Sequence, residues 1–136
     1  MCLKTVTKTF KHDNTLSLGR WKKGYKVFES GHDGSLFGPF MYNLVAMGKT
    51  YVDMRSANIR ADEEDCLGNR KEYVTGFHIL TSLKEAIALA DILGGIVVQV
   101  SYNGVVAEGT ESRTSSHKPY KVVVARVMKL VRKVKV

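Results

Sequence analysis

Tyr73–Tyr102, YVTGFHILTSLKEAIALADILGGIVVQVSY, is the stretch on which the fold turns. It divides into a short strand closing on Gly76-Phe77-His78-Ile79, a capped helix, a Gly94-Gly95 break and an apolar strand. Ser82, with Glu85 three residues on, is a capping-box signature. The serine oxygen is expected to accept from an early N–H, and the glutamate to reach back to the N–H of the cap. Leu83, Ala86, Ile87 and Ala90 share one helical face, leaving Lys84, Glu85 and Asp91 for the others. Glycine suits the left-handed geometry at a helix end, so Gly94-Gly95 closes the helix. Ile96 to Val100 is β-branched and almost wholly apolar, which predicts a buried strand. The expectation is an α+β fold: a largely antiparallel sheet, one main helix over about 82–93, and long loops.

Toward the C-terminus, Asn103-Gly104 between two valine-rich arms predicts a type I′ hairpin turn. Glu108 and Glu111 end the second arm. A polar loop, Ser112 to Pro119, carries Arg113, His117 and Lys118, and Tyr120 to Val136 is a long strand. Its alternation slips at Arg126, which implies burial on both faces or a bulge.

Toward the N-terminus, Tyr25-Lys26-Val27-Phe28 reads as the first core strand. Glu29 to Pro39, with Gly31, Gly34, Gly38 and Pro39, reads as a loop, and Phe40 to Val45 as a short strand. Gly48-Lys49-Thr50 is not a phosphate loop, because position 43, where that motif needs glycine, is Asn; it opens a strand through Tyr51 and Val52. Asp53 to Lys71 lacks periodicity, and Asp62-Glu63-Glu64-Asp65 reads as a solvated acidic loop. Residues 1–19 are an edge strand or an arm.

The 136 residues fit one domain, 1–136. No apolar run is long enough to span a membrane, and MCLKTVTKTFKH lacks the apolar core of a signal peptide. Cys2 and Cys66 have neither a C-x-x-C nor metal spacing, which predicts free thiols in a reducing cytoplasm and no zinc site. The net charge of +8 is concentrated at the ends. Residues 1–26 carry seven Lys/Arg against Asp13, residues 118–136 carry seven against no acid, and the middle holds seven against twelve acids. Two basic ends lying side by side would suit phosphates or nucleic acid.

Candidate binding residues follow from that distribution. Arg20, Lys22 and Lys23 interleave with Trp21 and Tyr25, as expected where phosphates are held and a base is stacked. Arg113, His117 and Lys118 can wrap a phosphate from their loop. His78, close in sequence to the helix N-terminus at Ser82, can contact an anion where free N–H groups gather. Each has a plainer alternative: a tryptophan packed at the core edge, solvated loop charges, a half-buried structural histidine.

Taken as an ordered set, Gly24-Tyr25-Lys26-Val27-Phe28, Gly48-Lys49-Thr50-Tyr51, Gly76-Phe77-His78 and Ala86 resemble small bacteriophage and prophage proteins of no established function. The resemblance covers roughly residues 24–130. It implies a viral α+β protein acting in the host bacterial cytoplasm, and no reaction. Joined to the basic charge and the absence of an assembled catalytic set, it suggests a non-catalytic sponge. Such a protein would sequester a nucleotide or nucleotide-derived signal to counter host defence, with no cofactor.

A second, more distant resemblance is to the ADP-ribosyltransferase fold, through Gly76-Phe77-His78-Ile79-Leu80-Thr81-Ser82 and Ala86. It implies an enzyme using NAD, with Glu108 or Glu111 as the acid and Tyr25 stacking on nicotinamide. The sequence departs from that family: its Arg-Ser-Glu set cannot be laid out in order, and Tyr25-Lys26 stands where its first-strand histidine would be. The third alternative is binding to a host protein or to nucleic acid through the basic ends. None of these involves a membrane, and each is compatible with a homo-oligomer.

Overall fold

The computed structural model describes residues 3–10, 19–30, 36–37, 44–45, 47–53, 58–64, 68–112 and 119–134. Its elements in chain order are β1 (Thr5–Thr9), β2 (Lys22–Ser30), β3 (Leu36–Phe37), β4 (Leu44–Val45), β5 (Thr50–Val52), β6 (Asn58–Glu64), β7 (Arg70–Val74), β8 (Phe77–Leu80), α1 (Leu83–Leu93), β9 (Ile96–Glu111) and β10 (Tyr120–Lys133). Every strand pairing is antiparallel. Among the described residues the protein is mostly antiparallel sheet with one short helix, the fold class the sequence predicts. No helix there is long and apolar enough to cross a membrane.

The frame is the long pair β9–β10, in register from Tyr120↔Glu111 to Lys133↔Val98. β2 lies along the first half of β9, from Lys22↔Tyr102 to Phe28↔Ile96. β8 lies along the first half of β10, and Tyr25↔Leu80 joins β2 to β8. The circuit β9–β10–β8–β2 therefore closes on itself. β1 extends the sheet from the far half of β9, β5 from the far half of β10, and β6–β7 forms a separate hairpin.

Closure explains why so many residues are buried. Phe28, Ile79, Val98, Val100, Val123, Ala125, Met128 and Leu130 form one cluster drawn from all four ring strands. The opposite face carries a second cluster. There Val27, Leu80 and Val97 pack with Ala86, Leu89 and Ala90 of α1, and Val122, Val124 and Val106 with Leu3, Val6, Ala61 and Tyr73. β10 is consequently buried without a break from Val122 to Met128. Its slipped alternation has both of the causes expected, two buried faces and register shifts at Val124/Ala125 and Leu130/Arg132.

Gly24 sits where the ring is tightest. A Cβ there would collide with Ile79 and lie 3.0 Å from the Tyr102 ring and 3.1 Å from the Leu80 carbonyl. Just beyond, where β2 and β8 share only one register pair, Lys26 Nζ donates to the His78 carbonyl at 2.9 Å and ties the two strands together.

Four local expectations are corrected. Asn103-Gly104 is not a hairpin turn, because β9 runs through it. The arms on either side find long-range partners instead of each other, β2 and β10 before it, β1 and β10 after it. Gly104, at φ 68°, and the extra residue opposite Val124/Ala125 bend the strand in a bulge.

The capping box forms by half. Ser82 Oγ accepts the Glu85 N–H at 3.3 Å, but Glu85 Oε2 accepts the Lys121 N–H at 3.3 Å, a tertiary bond from α1 to β10. Gly94 closes the helix at φ 70°, as expected.

Asp62, Glu63 and Glu64 lie in β6, not in a loop. The hairpin they belong to is anchored by buried Ala61 and Tyr73, and its ladder is irregular between Arg60 and Glu64. Asp65 lies outside the described residues. Part of the glycine-rich segment expected as a loop is strand: β2 continues to Ser30, and Leu36–Phe37 returns as β3, while 31–35 and 38–39 lie outside the described residues.

Candidate ligand-binding face

Residues directly opposite each other in antiparallel strands project from the same face, so register alone assembles a surface. Lys23 of β2, Ser101 of β9, Lys129 of β10 and Thr50 of β5 form one row across four strands. Tyr25, Gln99 and Arg132 form the next row. Arg132 Nε donates to Gln99 Oε1 at 3.0 Å, which holds the guanidinium over β9. Lys23, Lys129, Arg132 and Thr50 are exposed, and Ser101, Gln99 and Tyr25 are partly so. Three strand spacings make the strip about 14 Å across.

The strip lies beyond the part of this face that α1 covers, where Val27 and Val97 are buried. Its other end is bounded by Asn103, a buried amide that replaces a ladder partner for the entering chain. Asn103 Nδ2 donates to the Gly19 carbonyl at 2.8 Å, and its Oδ1 accepts the N–H of Gly19 at 3.0 Å and of Gly104 at 2.8 Å. That clamp sets the entry into β2, so that Trp21 precedes Lys23 and Tyr25 at alternate spacing and is 43% exposed. Neither row contains a carboxylate.

The structure sorts the sequence-derived residues into separate places. Lys23 and Tyr25 come together on the strip, and Trp21, exposed, lies two residues before Lys23 at the entry to β2. Lys22 pairs with Tyr102 and so belongs to the opposite face of β2, and Arg20 is exposed just before the strand. Ser82 has its hydroxyl engaged as the helix cap. Arg113, His117 and Lys118 lie outside the described residues.

His78 and Glu111 make a second polar locus. Nδ1 of His78 lies 3.1 Å from Glu111 Oε2, with both side chains 12% exposed. The Tyr73 ring sits 6.1 Å from the His78 ring, and its hydroxyl accepts the Leu3 N–H at 2.7 Å. Burial lowers the His78 pKa; the hydrogen bond and charge of Glu111 oppose this, while Lys26 and the chain's amino group add to it. The net shift is downward, burial being the largest cause, and the 3.1 Å geometry suits donation of an Nδ1–H to the carboxylate. Glu108 pairs with Val123 and raises the Tyr102 pKa, after the larger effect of burial, which places it on the other side of β9. Glu108 and Glu111 therefore do not share a site.

Gln99, Ser101, Lys129 and Arg132 are the strip residues that sequence reasoning did not single out. The excess of basic residues at the C-terminal end pointed to Lys129 and Arg132 as a group. Nothing local fixes the register that sets them beside Lys23. No family model, curated protein or solved structure matches this chain. Among the described residues, fold and surface define a closed antiparallel ring of strands with a basic strip exposed across β2, β9, β10 and β5.

Proposed function

We propose that this protein is a non-catalytic binder of nucleotide-type ligands. The carrying observation is the strip itself: Lys23, Lys129 and Arg132 stand around Ser101 and Gln99 with Trp21 and Tyr25 along one side and no acid among them. Cations hold phosphates, hydroxyl and amide groups bond sugar or base edges, and aromatic rings stack on bases. Sequestering a nucleotide or nucleotide-derived signal inside a bacterial host is the role that the phage-protein resemblance adds. The transferase alternative would have to use Glu111, which is bonded to His78, or Glu108, which faces the other way.

Trp21 is the only tryptophan in the chain, is exposed and lies two residues before Lys23, so its emission is the natural reporter of occupancy. Titration with a panel of mononucleotides, cyclic nucleotides and short oligonucleotides is expected to change that emission saturably for at least one ligand. A flat response to every member of the panel, confirmed by calorimetry, overturns the proposal.

A further inference from the structure

We infer that the ligand of the strip is a single strand of nucleic acid, lying across β2, β9, β10 and β5, rather than a free nucleotide; this rests on reading the strip as a nucleotide-binding face. The first argument is the spacing of the aromatics. Trp21 and Tyr25 are four residues apart on extended chain, about 13 Å. Two rings that sandwich one base must stand about 7 Å apart, twice the ~3.4 Å base spacing. These two serve different bases.

The second argument is the shape of the charge. The cations stand in two rows on β2 and β10, on either side of β9, instead of converging on one point, and Gln99 fixes the guanidinium of Arg132 in the row of Tyr25. A backbone with a charge at every nucleotide matches such a spread. The strip runs between α1 and the Asn103 clamp, open at the β5 side, where Thr50 and Val52 are exposed. The third argument concerns the bases themselves. Stacking on Trp21 and Tyr25 requires unpaired bases, which a duplex does not present.

The test uses the full chain with labelled oligo-dT of two, four and eight nucleotides, an eight-base-pair duplex, thymidine monophosphate and a cyclic dinucleotide. Anisotropy and Trp21 emission are followed between about 50 and 200 mM salt. The eight-mer is expected to bind at least about tenfold more tightly than the mononucleotide and the cyclic dinucleotide, as additional stacked bases require. Three phosphate contacts predict a log–log salt slope of about −2, and Lys129→Ala a slope shallower by about 0.7. Lys84→Ala removes the same charge from exposed helix surface and should leave the slope unchanged.

Equal affinity for mononucleotide or cyclic dinucleotide and eight-mer overturns the inference and leaves the nucleotide-binding face standing. Equal affinity for duplex, with Trp21 emission unmoved, overturns it as well. No binding by any probe overturns both.

Discussion

Lys23 of β2 and Lys129 of β10 are in register with the same residue of β9, Ser101, one from each side. Two strand spacings separate their backbones, about 9.6 Å, close to the ~10 Å screening length at 0.1 M salt. Like charges held that close work against the fold, and nothing in either row neutralises them. Lys129→Glu should therefore raise stability at low salt by a few tenths of a kcal/mol, roughly the value of an exposed pair. The gain should vanish near 1 M salt, where screening shortens to ~3 Å. The same variant should lose ligand binding. Urea midpoints at two salt concentrations check this; a stability loss at low salt would show that Lys129 serves the fold and not the face.

Asn103 carries the entry to that face. It is 4% exposed and bonds both backbone groups of Gly19. Asn103→Ala leaves those groups without their partner and should cost about 1–3 kcal/mol. Because the clamp sets the path of the chain into β2, Trp21 should also become more mobile, with lower emission anisotropy in the native state. Asn103→Asp keeps the acceptor for the Gly19 N–H but loses the donor to its carbonyl, so its midpoint should fall between wild type and alanine. An alanine variant with wild-type midpoint and anisotropy would remove the clamp from the account.

His78 gives the fold a pH dependence of definite sign. Burial holds its native pKa below the ordinary value, so on acidification the unfolded chain takes up the proton first. The contribution to stability is complete above the unfolded value of about 6.5. It is lost as pH falls from there through the native pKa. His78→Gln keeps a donor for Glu111 but does not titrate. Urea midpoints from about pH 8 to about pH 5 should fall more steeply for wild type than for the variant. A wild-type midpoint that rises relative to the variant in acid would mean that the charged pair with Glu111 outweighs burial.

What could be read from the chain divides along the range of the interactions. The helix was legible to its caps because Ser82, the apolar face and Gly94 act within a few residues of one another. The burial of β10 was legible because unbroken Val122 to Val124 leaves no polar face. Asn103-Gly104 misled because turn preference is local, whereas Gly19, β1 and β2 compete for the same backbone from far along the chain. Glu85 misled likewise: its side chain has a choice between Ser82 and a strand end, and Lys121 takes it. Half the proposed face was visible, since Trp21, Lys23 and Tyr25 are neighbours in sequence. The other half depends on which residue of β10 stands beside Ser101, a register set by two bulges and the closure of the ring.

The choice made by Glu85 is itself testable. In a reciprocal capping box Ser82 and the Glu85 side chain support one another, and removing both costs less than the two separate losses together. Here Ser82 Oγ serves α1 locally, while Glu85 Oε2 ties α1 to β10 through Lys121. Ser82→Ala should cost about 1 kcal/mol, and the costs of Ser82→Ala and Glu85→Ala should add to within about 0.5 kcal/mol. A coupling well beyond that, measured by a double-mutant cycle in urea, would restore the reciprocal box.

Gly24 is where the ring has least tolerance. Its Cα faces Ile79, the Tyr102 ring and the Leu80 carbonyl, and two of those three belong to β8, the strand β2 meets at one register pair. Overpacking a core costs about 1–3 kcal/mol when side chains can give way. Here the obstacles include backbone, and the easier relief is to part β2 from β8. Gly24→Ala should therefore destabilise by at least that amount and lose amide-exchange protection at Tyr25 and Leu80 before β9–β10 loses any. The same substitution at Gly94 meets no neighbour and bears only the strain of its positive φ, about 1 kcal/mol. Should Gly24→Ala prove the milder of the two, with exchange at Leu80 unchanged, the ring is not closed where β2 meets β8.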